Sequence, residues 1–317
     1  EGTAVQMGGS LASALAQWFC VDAATRRTLV IAGVAAGFGS VFWAPFAGAM
    51  FAVEVLAIGQ LQLAALIPAL VASLTADHVC LAWGIRHNAY SVAPVYPVWD
   101  FGLLMKAAAA GIAFGMAGRL FAQALFLVEE NSKRRIRSPL LRPVVGGLVV
   151  IALVYLLGTR EYLCLGDKAL AGGASILTAF GEQGISPWSW LWKIVFTVVT
   201  LGFGFKGGEV TPLFFVGATL GHTMAILLGA PVDLFAALGF VAVFASAANT
   251  PLACCLMGME LFGSHYLPYF AFASLVAYYT SGHTGIYLSQ RVAIPKRPWF
   301  PRGITLREAR YKRLSTF

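Results

Sequence analysis

One run in the second half of the chain, Gly204-Phe205-Lys206-Gly207-Gly208-Glu209-Val210-Thr211-Pro212, gathers residues suited to one kind of chemistry. Two adjacent glycines break an apolar stretch that ends near Phe205, and Pro212 stands where a new helix starts. The first amides of a helix have no partner inside it, and the aligned peptide dipoles place partial positive charge there. Free N–H donors at such a start make an anion site. Gly208, Glu209 and Val210 are the candidate anion-binding positions, and Lys206 adds positive potential. Glu209 puts a carboxylate beside that site, able to accept a proton or to steer selectivity. The same residues also read as a Lys206–Glu209 ion pair at a helix start.

The opening run EGTAVQMGG has a similar character, with Glu1 at the N-terminus of a helix begun by Gly2 and Thr3. A carboxylate there is held by the dipole and competes with an anion for the same amides. It can gate an anion path by leaving when protonated. Taken alone, Glu1 also reads as the cut end of a longer chain. Tyr287, in SGHTGIYLSQ, opens the last short segment and offers one phenolic donor to an anion. Its alternative is a place in an interfacial aromatic belt. Glu54 and Glu260 each close a short apolar segment, where structural pairing is their expected role. The five cysteines show no metal-ligand spacing, and no HExxH, nucleophile elbow or P-loop is present. The expectation is a protein that is not an enzyme and that uses no cofactor and no metal.

The elements that must position these residues are set by composition. Apolar and aromatic residues make up 59% of the 317, and only 11% are charged. A soluble domain carries about 25% charged residues. With a mean hydropathy of +0.76, much of this surface must face lipid. The net charge of +8 points to a membrane surface and not to nucleic acid, because the basic residues cluster beside apolar stretches.

Eleven apolar stretches follow one another: Thr3–Cys20, Leu29–Val41, Pro45–Ala57, Leu61–Trp83, Phe101–Val128, Leu141–Leu157, Trp188–Phe205, Thr211–Leu228, Val232–Ala247, Pro251–Phe262 and Tyr266–Thr280. Several are shorter than the roughly 20 residues of a simple span and are bounded by Gly or Pro. Such segments read as the broken helices with which transporters bring backbone amides to mid-membrane. The fold expected is an all-α integral membrane bundle of broken and tilted helices. Basic clusters at Lys133–Arg142 and in the tail after Gln290 place both on the cytoplasmic side by the positive-inside rule.

An ungapped internal repeat joins GVAAGFGSVFWAPFAGAMFAVEVL from Gly33 to GFVAVFASAANTPLACCLMGMELF from Gly239, an offset of 206. Pro45 matches Pro251 and Glu54 matches Glu260. Repeats in two membrane halves, often of inverted topology, mark secondary transporters with a site at the repeat interface. The organisation expected is 1–100 as the later part of a first repeat, 101–290 as a second repeat, and 291–317 as a basic cytoplasmic tail. Equal halves would put about a hundred further residues ahead of Glu1.

Together these pieces resemble the CLC family of chloride channels and anion/proton exchangers. EGTAVQMGG resembles the latter part of that family's GREGP-type motif, whose glutamate is the gate and proton-exchange residue and falls on Glu1. GGEVTP resembles the GxFxP loop whose amides bind the central anion, which implicates Glu209 and Val210. Tyr287 falls on the family's anion-coordinating tyrosine. Glutamate within GGEVTP resembles the fluoride/proton antiporter branch. Val55 stands where exchangers carry an inner proton glutamate, which that branch also lacks. The resemblance implies fluoride/proton, or chloride/proton, antiport with the passive chloride channel of the same fold as alternative. It also implies a homodimer in a bacterial inner membrane with a cytoplasmic C-terminus.

Overall fold

Two proline-led helices, one from each half of the described fold, brace each other. A computed structural model describes residues 2–85, 92–93, 96–97, 99–163, 166, 173–181 and 184–314. The first set of helices is α1 (Gly2–Trp18), α2 (Ala23–Phe42), α3 (Pro45–Glu54) and α4 (Leu66–Ala82). A connecting group follows: α5 (Phe101–Arg135), α6 (Leu141–Leu157), α7 (Ile176–Ala179) and α8 (Ser189–Gly202). The second set is α9 (Val210–Leu228), α10 (Val232–Ala248), α11 (Pro251–Phe262) and α12 (Leu267–Thr280), and α13 (Leu306–Leu314) lies in the tail. Pro45 and Pro251 occupy first turns, where a missing N–H costs no hydrogen bond.

The two sets repeat one packing scheme. In the first, α2 packs on α1, α3 and α4, and α3 packs on α4; α10, α9, α11 and α12 do the same in the second. The caps repeat as well. Trp43 ends α2 and Asn249 ends α10, both in the left-handed conformation at φ 54° and 59°. Asn tolerates that region, whereas for Trp it costs on the order of 1–2 kcal/mol. Each cap stands two residues before the proline that starts the next helix.

Glu54 and Glu260 then lock the sets together. Glu54, at the end of α3, accepts hydrogen bonds from the amides of Leu252 and Ala253 in the first turn of α11, at 3.1 and 2.8 Å. Glu260, late in α11, accepts from Phe46 and Ala47 in the first turn of α3, at 2.9 and 2.8 Å. The end of each helix thus lies at the start of the other, so α3 and α11 run antiparallel. Repeat-related helices that run antiparallel are related by a two-fold axis, and this is inverted topology. The pairing expected for these glutamates is therefore with helix amides across the repeats.

Close helix crossings depend on glycine. A Cβ on Gly33 would lie 2.3 Å from the Gly8 carbonyl oxygen, and one on Gly239 would lie 2.0 Å from that of Gly217. Backbones meet at both crossings, as small residues permit in membranes. The second crossing is the centre of the core: α10 is apolar all round and buried from Leu234 to Ala248. By contrast α4 buries only Ala69 and Ser73, and α6 only Gly146.

The structure moves element boundaries read from the sequence, most at α2, which begins at Ala23 and not at Leu29, and at α5, and it adds detail at Tyr287 and in the tail. α5 continues past Val128 to Arg135, carrying Lys133, Arg134 and Arg135 in its last turn, where cations favour the helix dipole. Glu129–Lys133 and Glu130–Arg134 pairs support that extension. No helix starts at Tyr287, which lies in a turn closed by the Gln290 amide donating to the Tyr287 carbonyl at 3.0 Å. The tail after Gln290 is packed against the body. Its strand β2 (Arg291–Val292) pairs in parallel with β1 (Ala57–Ile58), and the Arg310 guanidinium donates to the carbonyls of Ala122 and Gly285.

Candidate functional site

The first turns of α1 and α9 meet at one cavity of about 280 Å³. Gly2, Val5 and Gln6 line it from α1, and Val210 lines it from the start of α9. Neither first turn can satisfy its amides within its own helix. The Glu209 side chain does not cap α9, which leaves that turn's positive end directed at the cavity. Tyr287 completes the wall, held edge-on to Phe51 with ring centroids 6.2 Å apart. Its hydroxyl makes no hydrogen bond among the described residues. Phe38, Phe42 and Phe51 supply the rest of an apolar lining, and Phe38 stacks on Phe51 at 4.3 Å. In so apolar a wall, a few oriented dipoles act on an anion more strongly than they would in water.

The candidate positions do not all fall in one place. Val210 and Tyr287 share this cavity, while Gly208 faces a second cavity of about 300 Å³ with Gly207 and Pro212. Glu209 stands in the loop between the two. Lys206 is exposed and makes no ion pair with Glu209, which removes that reading of the loop. Glu1 and Cys164 lie outside the described residues. Val55, at the end of α3, is part of the first cavity's wall.

Sequence reasoning missed two polar residues. Lys193 lines the second cavity, is 1% exposed, and donates to the Tyr162 carbonyl at 3.2 Å. Its signal was available, as a lysine inside the apolar run Trp188–Phe205. Gln290 lines the first cavity and is 2% exposed. Nothing in its sequence neighbourhood, beyond proximity to Tyr287, marks it.

Comparison with known proteins follows the same line. The chain is 50% identical over 298 residues to a chloride/fluoride channel protein of Pseudomonas syringae pv. tomato, covering 93% of this chain and 65% of that one. It is 26% identical to an H(+)/Cl(-) exchange transporter of Vibrio cholerae, over 84% of this chain and 58% of that protein. The chain thus spans under two thirds of the length of these two relatives. Among solved structures, a CLC-type fluoride/proton antiporter matches 92% of this chain and 72% of that one, with a TM-score of 0.84 and 37% identity. The model of the voltage gated chloride channel family covers residues 1–282. The inverted repeat, the two helix starts at one cavity and this match agree, and the chain belongs to the voltage gated chloride channel family.

Proposed function

We propose that the protein carries out anion/proton antiport across a bacterial inner membrane, with fluoride as the anion. The convergence of the α1 and α9 first turns with Tyr287 on one apolar cavity carries this reading. In it, the anion rests against the Val210 amide and the Tyr287 hydroxyl. Glu1, just ahead of α1, alternates between that place and solvent as it takes up and releases a proton. Glu209, when protonated, donates a hydrogen bond to fluoride, a small, strongly hydrated anion and a good hydrogen-bond acceptor. Similarity to a fluoride/proton antiporter structure at 37% identity supports fluoride over chloride. The tail's basic residues favour a cytoplasmic C-terminus. A homodimer is part of the proposal.

Val55, a valine on the cavity wall that cannot relay protons, is compatible with a second reading, the passive chloride channel, as well as with the fluoride branch. Flux from proteoliposomes containing the full-length protein separates the two. Fluoride-selective efflux accompanied by proton uptake, abolished in Glu1→Gln, is the expected result. Chloride flux without proton movement would make the protein a channel.

A further inference from the structure

The Gln290 side chain joins the ends of two helices from different repeats. Its Nε2 donates to the Val55 carbonyl at 2.8 Å and to the Ala248 carbonyl at 3.1 Å. Val55 caps α3 and Ala248 is the last residue of α10, so both carbonyls belong to helix ends that lack partners of their own. The Gln290 Oε1 accepts from Asn249 Nδ2 at 3.0 Å. Its backbone amide closes the Tyr287 turn, and its carbonyl accepts from the Leu306 amide at 3.0 Å. One residue therefore ties together the cavity wall at Val55, the tyrosine turn, the end of α10 and the tail.

The orientation of this brace is fixed from behind. Asn249 Oδ1 accepts from the Lys296 ammonium at 2.6 Å, and Asn249 Nδ2 also donates to the Thr284 carbonyl at 2.9 Å. The Thr284 carbonyl can only accept, which settles which end of the Asn249 amide is nitrogen and turns that nitrogen toward Gln290 as well. Lys296 is held in turn by the Tyr278 carbonyl at 2.6 Å and Ser281 Oγ at 3.2 Å, with its ammonium 3.7 Å from the centre of the Tyr278 ring.

We propose that Gln290 is a positioning residue that keeps the tail-side wall of the anion cavity closed, and that Lys296, through Asn249, holds it in register. The proposal rests on the anion-transport reading above. Val55, Leu56, Tyr287 and Ser289 lie on this side of the cavity, and Leu56 and Ser289 are exposed. Without the brace the Arg291 amide still donates to the Leu56 carbonyl and β1 still pairs with β2, but no side chain among the described residues holds the Val55 and Ala248 helix ends against the tyrosine turn. The wall then widens, larger anions enter, and anions pass without waiting for a proton.

The test uses full-length protein in proteoliposomes and reads two ratios, protons moved per anion and fluoride rate over chloride rate. Both are properties of each working molecule, so a lower folded fraction leaves them unchanged. Gln290→Met keeps volume and removes every side-chain hydrogen bond. It is expected to lower at least one ratio about fivefold or more, because a single one of the three lost neutral hydrogen bonds carries about that equilibrium weight. Asn249→Asp, which keeps an acceptor for Lys296 and a residue at ease in the left-handed region, removes the donor to Gln290 together with the donor to the Thr284 carbonyl. It is expected to shift the ratios in the same direction by less, and it is the deciding variant if Gln290→Met does not fold. Wild-type values of both ratios in the folded variants would overturn the proposal. Wild-type protein that moves fluoride without protons defeats the antiport reading alone, and the fluoride-to-chloride ratio still judges Gln290. Wild-type protein that carries no anion defeats both.

Discussion

Glu209 is where a single side chain has most to do with selectivity. It precedes α9, leaves the helix uncapped, and stands between two cavities. A protonated carboxyl can donate to fluoride, while an apolar residue in its place offers nothing. A hydrogen bond to a charged partner contributes roughly 1.5–3 kcal/mol. Glu209→Leu is therefore expected to reduce the fluoride-to-chloride rate ratio by about tenfold or more, whereas Glu209→Gln, which retains N–H donors, keeps part of it. An unchanged ratio in the leucine variant would remove Glu209 from the selectivity assignment. The same loop shows how far sequence reading reaches at this scale. The paired glycines and Pro212 disclose a helix start, because those residues have few other uses in an apolar run. That Val210 and Tyr287 share a cavity, although 77 positions apart (287 minus 210), is a matter of tertiary packing. Gln290 escaped notice for the same reason. Its partners Val55 and Ala248 are backbone carbonyls, and a carbonyl has no sequence signature.

At the scale of elements, the chain's proline-led helices and their glutamates form one device. Each carboxylate neutralises the positive end of the partner helix and accepts two of its orphan amides. Glu54→Ala and Glu260→Ala are each expected to lower stability by about 2–3 kcal/mol, read as a fall in melting temperature in detergent. Glu54 is buried and Glu260 half-buried, so the first should cost more. Equal, negligible shifts would show that the reciprocal caps do not hold α3 to α11. The glycine crossings give a second contrast. Gly239→Ala would force a methyl to 2.0 Å from a carbonyl oxygen of α9. Gly147→Ala, on α6, meets only an ordinary contact at 3.7 Å and gains helix propensity. The first is expected to abolish monodisperse protein, and the second to leave it unchanged or slightly more stable. The boundaries of α6 and α11 were readable to the residue, because Pro, Gly and charge mark their ends. The extension of α5 was not, since its last turns are polar and lack the apolar period that marks a helix from sequence.

For the whole molecule, the offset of 206 made the repeat legible, but its inversion was only an expectation until the reciprocal glutamates showed α3 and α11 antiparallel. That relation also bears on assembly. Ile67, Val71 and Leu74 on α4 recur at helical spacing and are exposed, at 75%, 59% and 39%. On α12, the helix that matches α4 in the second set, Phe272, Leu275 and Tyr279 form a comparable exposed row. Apolar exposure alone is ordinary for a surface that faces lipid. Two matching stripes beside the α3–α11 axis are, in addition, the kind of self-complementary face that a two-fold dimer uses. If the proposed homodimer forms there, helix contact depends on van der Waals fit and not on a hydrophobic drive, because lipid chains are as apolar as the stripe. Fit is destroyed by bulk without any change in polarity. The double substitution Ile67→Trp and Val71→Trp is therefore expected to shift full-length protein from dimer to monomer in light-scattering measurements in detergent. Each subunit should keep its fluoride flux, because neither residue lines the cavity. A dimer that survives both tryptophans would place the contact on another face, and the exposed row on α4 would then be a lipid surface only.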